Sequence, residues 1–517
     1  MERLVPHDVS ATSNPTRSVI INYSLLMMKV LMVASEAAPF AKTGGLADVV
    51  GSLPAALRAF NCEVAVLIPR YRSIDLSAAR RVYDSLPVWL GGTVHETSLY
   101  QIDAAGVAYY FLEAPSLYGR DGYYGDAKGD YPDNAVRFAV LSRAALAVAR
   151  RVFRPRILHC HDWQTGLIPV YLRTVFAYDP TFIGMKTLFT IHNLGYQGLF
   201  PPAVLPQIGL DRRVFNIDGL EFFGKVSFIK GGINFSDALN TVSRRYAAEI
   251  QTEEYGFGLE GVLRARAPVL HGILNGVDYS HWNPETDPYL ASRYSADDLR
   301  GKRLCKQDLL KQFGLPAAAI DRPLLGVVSR LTSQKGTELI LEIAAELAAG
   351  GLCLVVLGSG DADYETGLRE AAAAYPEHIA VRIGYDEALA HKIEAGADMF
   401  LMPSQYEPSG LNQMYSLRYG TVPVVRSTGG LDDTIEDGTG FKFEDYSAPA
   451  LLEAIRAAAT AFQDRKGWEV MMRRGMLKDY SWQVSASEYA ALYQRLLDGG
   501  KTAASFGPKK DPIQLGV

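Results

Sequence analysis

The chain has 517 residues, 48% of them hydrophobic and 21% charged, with a formal net charge of −5. Such a length exceeds what one hydrophobic core serves, so at least two domains are expected, and the slight negative balance excludes the electrostatic footprint of a nucleic-acid binder. Cys62, Cys160, Cys305 and Cys353 are scattered without metal-ligand spacing and read as core residues of a reducing, cytoplasmic compartment, and no apolar run is of transmembrane length.

Residues 1–28 are polar and turn-rich, with Glu2 and Asp8 set against a transit peptide, and read as an extension without fixed structure. The apolar run 29–36 predicts the first buried parallel strand. Lys42-Thr43-Gly44-Gly45-Leu46-Ala47-Asp48-Val49 follows, opening a helix over 46–58. Strand, glycine turn and helix together bring backbone N–H groups and a positive helix end to one point, where Lys42 adds a mobile charge. A second buried strand falls at 64–68, and further strand candidates at 88–90 and 107–112 flank Gly91-Gly92. Between 117 and 133 lies a loop dense in Tyr, Gly and Asp, including Tyr124, a composition suited to stacking on sugar rings or to ordinary surface packing.

After an Ala-rich helix over 134–150, two strands end in polar clusters, His161-Asp162-Trp163 and His192-Asn193. A lone histidine is more often structural than catalytic. Two such clusters after strands of one sheet fit the usual place of ligands in open α/β sheets. The stretch from His271 to Asp278 reads as a hinge, and a second set of alternating units begins at 324. There Arg330 and Lys335 stand five positions apart after a strand, close enough to clamp a diphosphate. Gly358-Ser359-Gly360 and Gly429-Gly430 are expected to be further glycine turns able to approach phosphate, and Glu407-Pro408-Ser409-Gly410 to present a carboxylate to sugar hydroxyls or to cap a helix. The predicted architecture is α/β: two doubly wound, Rossmann-like domains facing each other across a cleft. Their expected limits are 29–272 and 273–483, followed by a helix at 484–498 returning to the first domain and an unstructured tail at 499–517. A dinucleotide oxidoreductase would need G-x-G-x-x-G after the first strand, and neither Lys42-Thr43-Gly44-Gly45 nor Gly358-Ser359-Gly360 supplies it.

Seven segments in order carry a family resemblance: the Lys42 to Val49 motif, His161-Asp162-Trp163, Ile191-His192-Asn193, Leu274-Asn275-Gly276-Val277-Asp278, Arg330 to Lys335-Gly336, Glu407-Pro408-Ser409-Gly410-Leu411, and Ser427-Thr428-Gly429-Gly430-Leu431. Jointly they resemble bacterial glycogen synthase and plant starch synthase, retaining glucosyltransferases of the GT-B fold. The resemblance implies transfer of glucose from ADP-glucose to the non-reducing end of an α-1,4-glucan, without cofactor or metal. It implies catalytic roles for Arg330, Lys335, Glu407 and His192, and donor binding by Lys42, Gly44, Gly45, Asn275, Gly358, Ser409, Gly410, Leu411, Gly429 and Gly430. Asp48, Asp162 and Tyr124 are the candidate sugar and acceptor contacts. Many bacterial members carry Cys where Ser409 stands, which leaves the choice of ADP or UDP open. Tyr415 stands where sucrose- and trehalose-type enzymes carry a second Glu. A non-catalytic glycan-binding relative would be expected to have lost the charged residues, and a glucan phosphorylase would need a lysine for pyridoxal phosphate.

Overall fold

The computed structural model describes residues 27–499. The expected tail, apart from Gly499, and residues 1–26 of the expected extension lie outside the described residues. Met28, assigned from sequence to that extension, opens the first strand instead, buried against the core.

The first half is built on a nine-stranded sheet. In chain order its strands are β1 (Met28–Val33), β2 (Cys62–Pro69), β3 (Arg80–Tyr83), β4 (Ser98–Ala104), β5 (Val107–Glu113), β6 (Ile157–His161), β7 (Lys186–Ile191), β8 (Ala238–Thr241) and β9 (Leu270–Gly272). They lie in the order β9-β8-β7-β6-β1-β2-β5-β4-β3. From β9 to β5 every pair is parallel, and β4 and β3 add an antiparallel edge. The central strands are buried on both faces, which is why they read in sequence as continuous apolar runs. The edge strands are half exposed and mixed in composition, so the apolar pattern gives no sign of β3 and β4. Val88–Leu90 does not join this sheet: it pairs with Thr93–His95 as a separate hairpin across Gly91-Gly92. Both glycines have positive φ, +56° and +83°, as a two-residue hairpin turn demands. The expected hinge at His271 and Gly272 is the edge strand β9.

The second half carries six parallel strands: β10 (Leu324–Leu331), β11 (Cys353–Gly360), β12 (Ile379–Ile383), β13 (Met399–Met402), β14 (Val422–Arg426) and β15 (Phe441–Phe443). Their order is β12-β11-β10-β13-β14-β15. Six helices matter for the site: α1 (Gly45–Leu57), α2 (Arg244–Glu249), α3 (Glu387–Gly396), α4 (Asn412–Arg418), α5 (Gly429–Thr434) and α6 (Trp482–Leu497).

In both sheets the winding reverses direction once at the centre. The chain runs from β1 outward through β2 and returns to β6 on the other side; likewise it runs from β10 through β11 and β12 and returns to β13. Loops that leave a reversal point diverge and open a crevice beyond the strand ends. The loops after β1 and β6, and those after β10 and β13, therefore fall at two crevices.

The last helix, α6, belongs to the first half's core through Trp482, Ala486, Tyr489 and Tyr493. Its two tyrosines are fully buried, and each hydroxyl has a partner. Tyr493 Oη meets His159 Nδ1 at 2.8 Å, and Tyr489 Oη accepts from Asn240 Nδ2 at 2.9 Å. Thr190 Oγ1 links the pair by contacting His159 Nε2 at 2.6 Å and donating to Asn240 Oδ1 at 2.5 Å. A buried polar chain of this kind is stable only when its members are satisfied, and it fixes α6 against β6, β7 and β8.

Candidate active site

At the first crevice, the end of β1 carries Ser35 and Glu36. Glu36 is only 3% exposed, yet its carboxylate is well satisfied: it accepts from the Thr43 backbone N–H, from Thr43 Oγ1 (2.7 Å) and from the Tyr124 hydroxyl. These bonds pin the loop that precedes α1. Lys42 projects outward and pairs with Asp48, one turn into α1, at 2.6 Å. A Cβ built on Gly44 or Gly45 would meet no protein atom within 4 Å. Gly44 is also extended, with φ −163°. Neither glycine is therefore required by the protein's own packing, and the loop leaves open space at the start of α1, where a helix end favours an anion.

Beside it, the end of β6 turns sharply at Asp162, whose φ is +54°. Its Oδ1 accepts the His192 backbone N–H at 2.7 Å, which ties the β6 and β7 loops together. Burial pushes the Asp162 carboxyl up to about 7, against the opposing effect of the backbone bonds from His192 and Asn193. His192 Nε2 meets His161 Nδ1 at 2.9 Å. Burial lowers His192 to about 3 and holds His161 well below the usual histidine range, so both rings are neutral at physiological pH. Asn275 is buried with its Oδ1 lacking a hydrogen-bond partner, and His161 Nε2 is likewise unpaired. Buried unpaired polar atoms are costly unless something completes them.

At the second crevice, Arg330 stands near the end of β10, exposed, with Nη2 donating to Gln334 Oε1 at 3.1 Å. Lys335 Nζ contacts Glu407 Oε2 at 2.5 Å, and Ser404 Oγ donates to the same oxygen at 3.0 Å. The pair is largely enclosed, with the lysine side chain 18% and the glutamate 7% exposed. Around it, Ser329, Gly410, Leu411 and Asn412 help line a cavity of about 150 Å³. Ser409 is buried nearby, with its hydroxyl unpaired.

The second-half glycines behave differently from the expectation. Gly358 and Gly360 lie inside β11, not in a turn, and a Cβ on either would sit 2.1 or 2.2 Å from a carbonyl oxygen of β10. Close strand packing explains them. Gly429 (φ +45°) and Gly430 start α5, and their Cβ atoms would fall 1.9 Å from the carbonyl oxygens of Glu407 and Ser409. Their N–H groups are already occupied. Gly429 donates to the Glu249 carboxylate at 3.1 Å, and Gly430 donates to the Glu407 carbonyl at 3.1 Å. These two glycines thus seat α5 on the Glu407–Ser409 backbone and do not form the expected free turn for phosphate. Tyr124 likewise has its hydroxyl committed to Glu36 and Ser35, and it reaches the site through them.

On the first-half side, contacts between the halves include residues that lie outside the sequence motifs. Ser243 Oγ donates to the Pro408 carbonyl at 2.6 Å, and the backbone N–H groups of Arg244 and Arg245 donate to Asp433. Glu249, buried at the end of α2, also accepts from Thr428 Oγ1 at 3.2 Å. The available signal was weak: a carboxylate on a short helix is ordinarily a solvated face.

Two sequence families match the chain: Starch synthase catalytic domain over residues 29–265 and Glycosyl transferases group 1 over residues 315–468. Glycogen synthase of Koribacter versatilis is 51% identical over 478 residues, covering 90% of this chain and 98% of the relative. Glycogen synthase of Anaeromyxobacter dehalogenans is 51% identical over 479 residues, covering 91% and 100%. Among solved structures, the catalytic domain of starch synthase IV from Arabidopsis thaliana, bound to ADP and acarbose, superposes with a TM-score of 0.83 at 34% identity, covering 91% of this chain and 99% of that one. With its two reversal-point crevices and this extent of similarity, the chain belongs to the glycogen and starch synthase family, glycosyltransferases of the GT-B fold.

Proposed function

We propose that the chain transfers glucose from ADP-glucose to the non-reducing 4-hydroxyl of an α-1,4-glucan, with retention at the anomeric carbon, in the cytoplasm. The observation that carries this reading is the second crevice, where Arg330 and the Lys335–Glu407 pair meet at one reversal point. Relatives named glycogen synthase along nine tenths of the chain, and the ADP and acarbose held by the Arabidopsis neighbour, support it. No described helix is long and apolar enough to cross a membrane.

In this mechanism the bond from C1 to the β-phosphate oxygen breaks and its electron pair leaves with ADP. Arg330 and Lys335 stabilise the growing negative charge, an interaction stronger in the transition state than in the ground state. The acceptor O4 bonds to C1 on the same face, and its proton passes to the departing phosphate oxygen. Glu407, His192, Asn275 and Asp162 hold the sugar hydroxyls, while Lys42 adds charge from the opposite half. A covalent glucosyl-enzyme trapped on Glu407 would count against this course.

The test is nucleotide release from ADP-glucose and UDP-glucose with glycogen as acceptor, beside a Glu407→Ala control. Faster turnover with ADP-glucose, abolished in the control, is the expected result. Preference for UDP-glucose would move the donor assignment, and no turnover by the folded protein with either donor would favour a glycan-binding role.

A further inference from the structure

His281, Glu387 and His391, none of them used in the proposed mechanism, bring one ligand atom each within 4.8 Å of one another, the one such trio of His, Cys, Asp or Glu among the described residues. His281 lies in the segment that follows Asn275, and Glu387 and His391 lie one turn apart on α3. Residues four apart on a helix share a face, so both can address one point. We propose that these three side chains form a binding site for a divalent transition metal of the Zn²⁺ type.

His391 is fully buried, and its two ring nitrogens differ. Nδ1 meets Asp287 Oδ2 at 2.7 Å and Tyr419 Oη at 3.3 Å. Nε2 is buried without a hydrogen-bond partner. A carboxylate on one ring nitrogen, with the other left over, is the arrangement that orients a metal-binding histidine and raises its basicity. The Trp282 ring stacks on His391 at 3.7 Å and 7°, which fixes the imidazole plane.

The second histidine is suitably placed. Two imidazoles on one tetrahedral zinc, with Zn–N bonds of about 2.0 Å, put their ring centroids roughly 5 Å apart. The His281 and His391 centroids are 5.2 Å apart with planes at 89°. Glu387 Oε1 lies 2.8 Å from His281 Nε2, so metal binding exchanges that hydrogen bond for two metal bonds after a small opening. Two histidines and a carboxylate, with water completing the shell, are borderline ligands suited to zinc rather than to magnesium or calcium. A bound ion would staple the segment after Asn275 to α3, and so hold the start of the second half in place.

The experiment uses the full chain, stripped with a chelator and titrated calorimetrically with Zn²⁺ alone, then with Co²⁺ to read the tetrahedral absorption bands. One equivalent is expected to bind and to raise Tm. His281→Ala and Glu387→Gln, both at exposed positions, are expected to weaken binding at least tenfold, remove the Tm shift and keep the metal-free Tm and turnover of the parent. Binding that survives in both variants, or a parent that binds no more metal than they do, overturns the proposal.

Discussion

At the crevice of the first half the groups at the ends of β6 and β7 are buried and largely uncharged: His192 and His161 are held neutral by burial, and Asp162 is raised to about 7. At the crevice of the second half, Arg330 is exposed and Lys335 faces Glu407 as an ion pair. The same topological device thus carries two chemistries. Neutral donors and acceptors suit sugar hydroxyls, whereas a departing diphosphate needs fixed positive charge. The difference follows from pairing more than from depth, since the enclosed Lys335 and Glu407 offset each other's charge, whereas His161 and His192 meet only each other.

The largest effect expected on this comparison comes from the charged side. Arg330→Ala and Lys335→Ala should each lower kcat about 10²-fold to 10³-fold, with smaller changes in KM, read by steady-state nucleotide release. A KM change alone would show ground-state binding only. On the neutral side, His192→Ala should cost about tenfold to a hundredfold, the loss of a sugar hydrogen bond. Because the folded His192 refuses a proton until about pH 3 while the unfolded residue accepts one near 6.5, the native state loses stability as pH falls through that window. His192→Ala should flatten that part of the stability profile, measured by denaturant unfolding between pH 4 and pH 7.

A smaller effect is expected from the contact joining the two sides. Glu249→Ala removes the acceptor for Gly429 and Thr428, and should lower kcat several-fold while Glu249→Gln restores most of it. The smallest is Asp162→Asn on stability. The folded carboxyl keeps its proton up to about pH 7, whereas the unfolded one loses it near 3.8, so its contribution is fully present below 3.8 and is lost as pH rises through 7. Asn needs no proton, so the variant should gain Tm relative to the parent above pH 7 and gain nothing at pH 4. Equal Tm differences at both pH values would mean that Asp162 is ionised throughout.

Much of this site was legible in the chain because its parts are local. Buried parallel strands write themselves as apolar runs, and the polar residues after 33, 161, 191, 331 and 402 mark where those strands stop. Sequence therefore placed Lys42, His192, Arg330, Lys335 and Glu407 at strand ends. It could not say what each group touches. Gly358, Gly360, Gly429 and Gly430 looked like phosphate turns, yet neighbouring backbone accounts for all four. Glu36, Ser243 and Glu249 carried no local pattern, although they pin the loop before α1 and join the halves.

The positions of the buried parallel strands, and the polar character of the loops that follow them, were written in the order of residues alone, since both depend on neighbours adjacent in the chain. Which glycines serve packing, which histidines are neutral and which carboxylates are paired emerged only from the folded arrangement. Those properties depend on burial and on partners tens or hundreds of residues away, which no local pattern records.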